Sequence, residues 1–276
     1  MFLKELFMKK GLIFLFIILS STFVGYSQKS LEIGLFGGGA YYMGDLNPGK
    51  PFLQSQFAYG LVGRYNITNR WAIRMNVIQG KVKGDDEISK ANLERLLSFE
   101  SNVTEFSVVA ELNFFDYITG STRNYVAPYI FAGLGVFLFN PKVDDIELKD
   151  MGTEGQNVGF DGRKAYKTFS LSMPFGIGFK YSLTKKLGFA FEWGMRKTIT
   201  DYLDDVSTTY YLDGESIDPN STAQVLSDPT MSHKPGMMRG NPRTKDWYSF
   251  FGVTITYKFD LFRHYKCTDF GERRKY

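Results

Sequence analysis

From Phe169 to Tyr181 the chain alternates without a break. Every odd position is large and mostly apolar, and every even position is small or polar. A helix would scatter those large side chains around its circumference, whereas a strand puts them all on one face. Pro174 sits awkwardly inside such a strand, because it has no N–H for the ladder. The same period of two recurs elsewhere. Leu187, Phe189, Phe191, Trp193 and Met195 alternate with Gly188, Ala190, Glu192, Gly194 and Arg196. Trp71 to Val77, Phe106 to Leu112, Phe57 to Tyr65 and Phe251 to Phe259 follow the same rule, with Val109 as one breach. Two segments are less regular: Leu31, Ile33 and Leu35 run into Gly37-Gly38-Gly39, and Tyr125 to Phe139 is apolar on both faces.

That makes eight predicted strands, and their connections sort by length. Long polar stretches, residues 44–55, 81–96, 140–167 and 202–246, follow the first, third, fifth and seventh strands. Short ones, 68–70, 116–124 and 184–186, follow the second, fourth and sixth. Alternating long and short connections in an even-stranded antiparallel sheet is the arrangement of an outer-membrane barrel, with short turns toward the periplasm and long loops outside. Trp71, Tyr125, Tyr181 and Tyr257 fall near the turn-side strand ends, and Trp193 and Trp247 near the loop-side ends, where amphipathic rings form interfacial girdles. A soluble lipocalin-type barrel is the competing fold. It would turn the large side chains inward, whereas here the small-and-polar face, with its glycines and scattered charges, suits a narrow lumen. The expected fold is therefore all-β: an eight-stranded antiparallel outer-membrane β-barrel with long extracellular loops, short periplasmic turns and a periplasmic C-terminal tail.

Composition agrees. A mean hydropathy of −0.20 over 276 residues excludes a polytopic helical membrane protein, which would need several apolar runs of about 20 residues. One Cys excludes a disulfide-stapled scaffold and a Cys-rich metal site, and two His leave little material for metal or acid–base chemistry. The N-terminus reads as an address. Met8-Lys9-Lys10 precedes the apolar stretch Leu12 to Leu19, and Gly25 and Ser27 stand at positions −3 and −1 before Gln28. These are the parts of a secretory signal peptide. The expected division is residues 1–27 signal peptide, 28–259 transmembrane barrel and 260–276 tail. Removing Lys4, Glu5, Lys9 and Lys10 lowers the formal net charge from +4 to +2, too small an excess to imply a nucleic-acid partner.

Eight strands enclose a space just wide enough to be filled by side chains, so a diffusion pore is not expected. The inferred lumen carries Glu32, Arg64, Arg74, Glu105, Glu111, Lys180, Glu192, Arg196 and Lys258. Opposite charges confined in that way should pair, because an unpaired buried charge is expensive. A structural ion-pair core is the expected reading, and a proton or ion path the sharper alternative. No catalytic constellation is legible. His233 lies in the last long loop and His264 beyond the last strand, neither beside a Ser and an acid. Asp201, Asp204 and Asp205 could be taken for a calcium site, but solvated loop carboxylates are the plainer account. No cofactor is expected.

The 17 residues after Phe259 mix aromatics with charge, as a docking segment does, and hold the one Cys. Arg263, Lys266, Arg273 and Arg274 are the candidate partner contacts, and Cys267, in an oxidising compartment, is a candidate for an intermolecular disulfide.

Three stretches carry a resemblance: GGGAYYMGDLN (37–47), APYIFAGLGV (127–136) and FEWGMRKTITDYLDDVS (191–207). Together they resemble the PorG-like outer-membrane barrels of the Bacteroidetes type IX secretion system, over most of the mature chain. The resemblance implies a non-enzymatic accessory role in a Gram-negative outer membrane. It also implies attachment to a periplasmic ring built from a PorK-like lipoprotein and its PorN-like partner, in a machinery for protein secretion and gliding motility. It supplies no catalytic residues. Beyond outer-membrane lipid, the ring components are the expected partners. Two other classes compete: a free-standing surface barrel with adhesive or interaction loops, and a lipid-modifying outer-membrane enzyme.

Overall fold

The computed structural model describes residues 29–260. The expected signal peptide and the tail beyond Asp260, with Arg263, His264, Lys266, Cys267, Arg273 and Arg274, lie outside the described residues. Eight long strands follow one another as β1 (Ser30–Met43), β2 (Gln56–Asn66), β3 (Trp71–Asp85), β4 (Ser98–Asn113), β5 (Val126–Val143), β6 (Phe169–Ser182), β7 (Leu187–Thr198) and β8 (Trp247–Asp260). Each pairs antiparallel with its sequence neighbours. The cylinder closes because β1 pairs with β2 on one side (Leu31 opposite Tyr65) and with β8 on the other (Leu31 opposite Phe259). Closure leaves none of the eight with an unpaired edge. A two-residue strand, Ile146–Glu147, extends β5 into a small hairpin.

The alternation decides which way the sheet curls. Leu35, Phe57 and Leu134 on the convex face are 65, 70 and 70% exposed, whereas Arg74 and Lys180 on the concave face are fully buried. The large apolar side chains point outward, which excludes the lipocalin arrangement. Tyr125 to Phe139 is apolar on both faces because both are used. Phe131, Phe137 and Phe139 of β5 fill the interior while Leu134, Val136 and Leu138 face out. Pro174 is accommodated where the β5–β6 ladder is interrupted. Pairing runs to Ala132 opposite Phe175 and resumes in the same register at Gly135 opposite Ser172.

Two expected loops are shorter than the polar pattern suggests. Residues 81–85 continue β3 and 140–143 continue β5, and β4 begins at Ser98, ahead of the alternating run that starts at Phe106. The ladder persists through Lys83, Glu100 and Lys142, which lie opposite one another across three strands. Above the apolar wall an outward side chain need not be apolar, so the hydrophobic period ends before the hydrogen bonding does. The β2–β3 and β6–β7 turns use one device twice. Thr68 Oγ1 accepts from Trp71 N at 2.9 Å, and Thr184 Oγ1 accepts from Leu187 N at 3.0 Å.

Candidate functional site in a closed barrel

Alternation sends one or two charged residues from each strand except β5 into the lumen, and the closed cylinder brings those from distant strands together. Glu111 on β4 is the hub. Its Oε2 lies 2.9 Å from Arg64 Nε and 2.5 Å from Lys180 Nζ, and its Oε1 lies 2.9 Å from Arg74 Nε. Arg64 also donates to Glu32 at 2.8 Å, and Arg74 bridges to Glu192. Tyr129 donates to Glu192 at 2.9 Å. A second group sits toward the loop side, where Arg196 lies 3.3 Å from Glu105 and Tyr248 donates to Glu105 at 2.6 Å. Arg64, Arg74, Lys180 and Arg196 thus face Glu32, Glu105, Glu111 and Glu192, four charges against four, all buried. Lys258 stands apart at the turn-side mouth, 3.1 Å from Asp260. Ring faces line the cations: Arg74 over Phe131 at 5.0 Å, Lys180 over Tyr129 at 4.6 Å and Arg196 over Phe250 at 4.7 Å.

Both mouths are covered by chain. The β4–β5 connection, expected as a plain short turn, folds back into the barrel. Thr119 donates to Glu32 at 2.7 Å, and Lys258 Nζ donates to the Thr119 carbonyl at 3.1 Å. The fold-back needs Gly120, whose φ is +95° and where a Cβ would lie 2.4 Å from the Lys185 carbonyl oxygen.

On the loop side the lumen ends in an apolar layer that includes Phe36, Phe99, Phe137, Phe250 and Leu46. A polar cap built from the long loops lies over it. Asp201, Asp204 and Asp205 are buried there, not solvated, and they face three different ways. Asp201 accepts from Ser207 Oγ at 2.6 Å. Asp205 accepts from Tyr166 at 2.7 Å and from Thr153, with Arg239 beside it. Asp204 accepts from Tyr42 Oη at 2.5 Å, and the same hydroxyl lies 3.0 Å from Asp246. One phenolic proton therefore serves two buried carboxylates, and among the described residues neither carboxylate has a cation within ion-pair distance. Burial raises both well above the carboxylate range, and the mutual repulsion adds for Asp204. Burial also raises Asp201 and Asp205 to about 6. Among the described residues, no group of three or more His, Cys, Asp or Glu could hold a metal ion.

Other cap residues lock the loops together. Arg95 makes two bonds to Asp86 (2.7 and 2.6 Å) and reaches the carbonyls of Arg239 (2.6 Å) and Asp45 (2.9 Å). Glu154 accepts from Ser207 N at 2.8 Å and Thr208 N at 2.9 Å. His233 lies 2.9 Å from Asp228 and stacks on Tyr210 at 4.1 Å. Sequence reasoning missed Tyr42, Arg95, Glu154, Arg239 and Asp246. They sit in or beside loops, where no periodicity marks an inward position. Two open cavities lie in this region: about 470 Å³ beside Lys83, Glu100 and Lys142, and about 220 Å³ among Leu96, Val143, Leu148, Val206 and Leu226.

The family described as "Domain of unknown function (DUF6089)" matches residues 9–211. Among curated proteins none matches the sequence. Several solved barrels are similar. The N-terminal β-barrel domain of Pseudomonas aeruginosa OprF is 14% identical, over 84% of this chain and 98% of that one, with a TM-score of 0.39. Neisserial surface protein A is 12% identical, over 86% of this chain and 100% of that one, with a TM-score of 0.41. Ail, the attachment invasion locus protein of Yersinia pestis, solved with the heparin analogue sucrose octasulfate, is 10% identical, over 84% and 97%, with a TM-score of 0.37.

Proposed function

The chain belongs to the DUF6089 family, and from that premise we propose that it is a non-enzymatic outer-membrane barrel that anchors the periplasmic ring of a type IX protein secretion machinery. The observation that carries the reading is an outward apolar wall around a lumen packed with paired charges and rings. A closed sheet satisfies its own backbone and can stand in lipid, which is the environment such a wall fits. A bore filled with salt bridges has no continuous aqueous path, so the wall and the two ends remain as working surfaces.

The choice of machinery rests on the three resembling stretches, 37–47, 127–136 and 191–207. The ring contact is assigned to the segment after Asp260. Arg263, Lys266, Arg273 and Arg274 meet the PorK-like lipoprotein, and Cys267 cross-links to it. The test is affinity purification of the full chain in mild detergent under non-reducing conditions, beside a chain ending at Asp260. Recovery of the ring proteins with the full chain alone is the expected result. A truncated chain that still brings down the intact ring overturns the docking assignment. A Cys267→Ser protein that runs like the parent on a non-reducing gel removes the disulfide.

A second reading, a free-standing surface barrel, is favoured by the folded loop cap, since loops that merely connect strands need no buried Arg95 or Glu154 network. Normal secretion with altered adhesion after gene deletion would select it.

A further inference from the structure

Charge is segregated along the barrel axis. Lys29, Arg70, Arg123, Lys185, Lys186 and Lys258 stand at the turn-side end against Asp116 and Asp260. At the opposite end, the β7–β8 connection (199–246) carries eight acidic against four basic residues. Of the turn-side cations, Lys258 turns into the mouth toward Thr119. Arg70 meets Asp116 at 2.8 Å, but the two side chains are 51 and 45% exposed, so that pair is weak. Among the described residues Lys29, Arg123, Lys185 and Lys186 make no ion pair, and all four are exposed.

Their height is set by the aromatic residues beside them. Lys186 Nζ lies 5.6 Å from the centre of the outward Tyr257 ring. Arg70 precedes Trp71, and Arg123 lies two residues before Tyr125, whose ring meets Tyr181 edge-on at 5.7 Å. Phe114, Phe115 and Leu183, all more than half exposed, stand in the same rim. Rings of this kind sit at the level of lipid headgroups, with apolar wall on one side and water on the other. A cation one or two residues from such a ring is therefore at the level of the headgroup phosphates.

We infer that the turn-side rim, through Arg123, Lys185 and Lys186, binds anionic phospholipid headgroups of the leaflet that faces the turns. This rests on the membrane reading above. The unpaired cations supply attraction of the kind that polybasic segments exert on anionic lipid, and that attraction falls with salt. The exposed rings and Leu183 favour a lipid surface over an acidic protein, because they continue the lipid-facing wall.

The test places the full chain in vesicles of phosphatidylcholine containing a minority of brominated lipid, either phosphatidylglycerol or phosphatidylcholine. Trp193→Phe and Trp247→Phe leave Trp71, beside Arg70, as the reporter of turn-side lipid. Brominated phosphatidylglycerol should quench Trp71 several-fold more effectively than brominated phosphatidylcholine at equal mole fraction. High salt, or the triple change Arg123→Gln, Lys185→Gln and Lys186→Gln, should bring the ratio to one. A ratio of one in the parent, or an equal preference in the triple variant, overturns the inference and leaves the cations for an acidic protein. Quenching by neither lipid would instead overturn the membrane reading itself, so the two failures are distinct.

Discussion

Glu111 offers the sharpest test of a dry, packed lumen. Its side chain is fully buried and meets Arg64, Arg74 and Lys180. Glu111→Gln keeps the shape and removes the charge. Arg64, Arg74 and Lys180 then face only Glu32 and Glu192, which leaves one positive charge uncompensated. Losing one partner of a buried pair costs about 3–5 kcal/mol. In a hydrated channel the same loss would cost about 0–1 kcal/mol, the range of exposed pairs. The two pictures therefore differ by more than the error of a urea titration in detergent, read by the mobility of unheated protein on a gel. A companion change separates charge imbalance from lost packing. Glu111→Gln with Lys180→Met restores two cations against two carboxylates, and it should recover most of the loss. That interaction between neighbouring sites is what a double-mutant cycle measures. A single variant as stable as the parent, or a double variant no better than the single, refutes the buried-network account.

The cap should respond to pH with a defined sign. Asp204 and Asp246 are raised well above the carboxylate range in the folded state, and Asp201 and Asp205 to about 6. The folded cap thus holds protons that the unfolded loop would release. Its stability is fully present below the unfolded carboxylate value of about 3.8, and it declines as pH rises through 6 and beyond. Limited proteolysis of residues 199–246 should be slower at pH 5 than at pH 8. Asp204→Asn with Asp246→Asn, which mimics the protonated pair, should reduce that difference to the part due to Asp201 and Asp205, and an unchanged pH profile would count against protons held on Asp204 and Asp246. At the other mouth, Gly120→Ala forces a positive φ on a residue with a Cβ and brings that Cβ against the Lys185 carbonyl. A loss of about 1–3 kcal/mol in the same urea titration is expected. A neutral outcome would mean that the 114–125 segment does not hold the fold-back.

How far the sequence could be read depends on what each residue faces. A wall residue has one surrounding, apolar on one face of the sheet and filled with neighbours on the other. Its identity therefore reports its direction, and the runs Phe169 to Tyr181 and Leu187 to Met195 could be placed residue by residue. The signal fails wherever that contrast fails. At Lys81, Glu100 and Lys142 the outward face has left the apolar wall, so strands continue under a polar sequence. In β5 the inward face is apolar too, because Phe137 and Phe139 meet Tyr248 and Tyr166 where the charged layer ends. The cap is the extreme case. Asp204 and Asp246 are 42 positions apart, and both are read from sequence as ordinary loop acids. Only the closure of β1 onto β8 sets Tyr42 opposite Tyr248, two residues from Asp246, and so makes one hydroxyl common to both carboxylates. Partner choice of that kind is a property of the cylinder's circumference rather than of any local run. The same holds for the lumen: alternation marks Glu111 and Arg64 as inward, but only the registers from β2 through β6 select Glu111 as the acid that Arg64, Arg74 and Lys180 share.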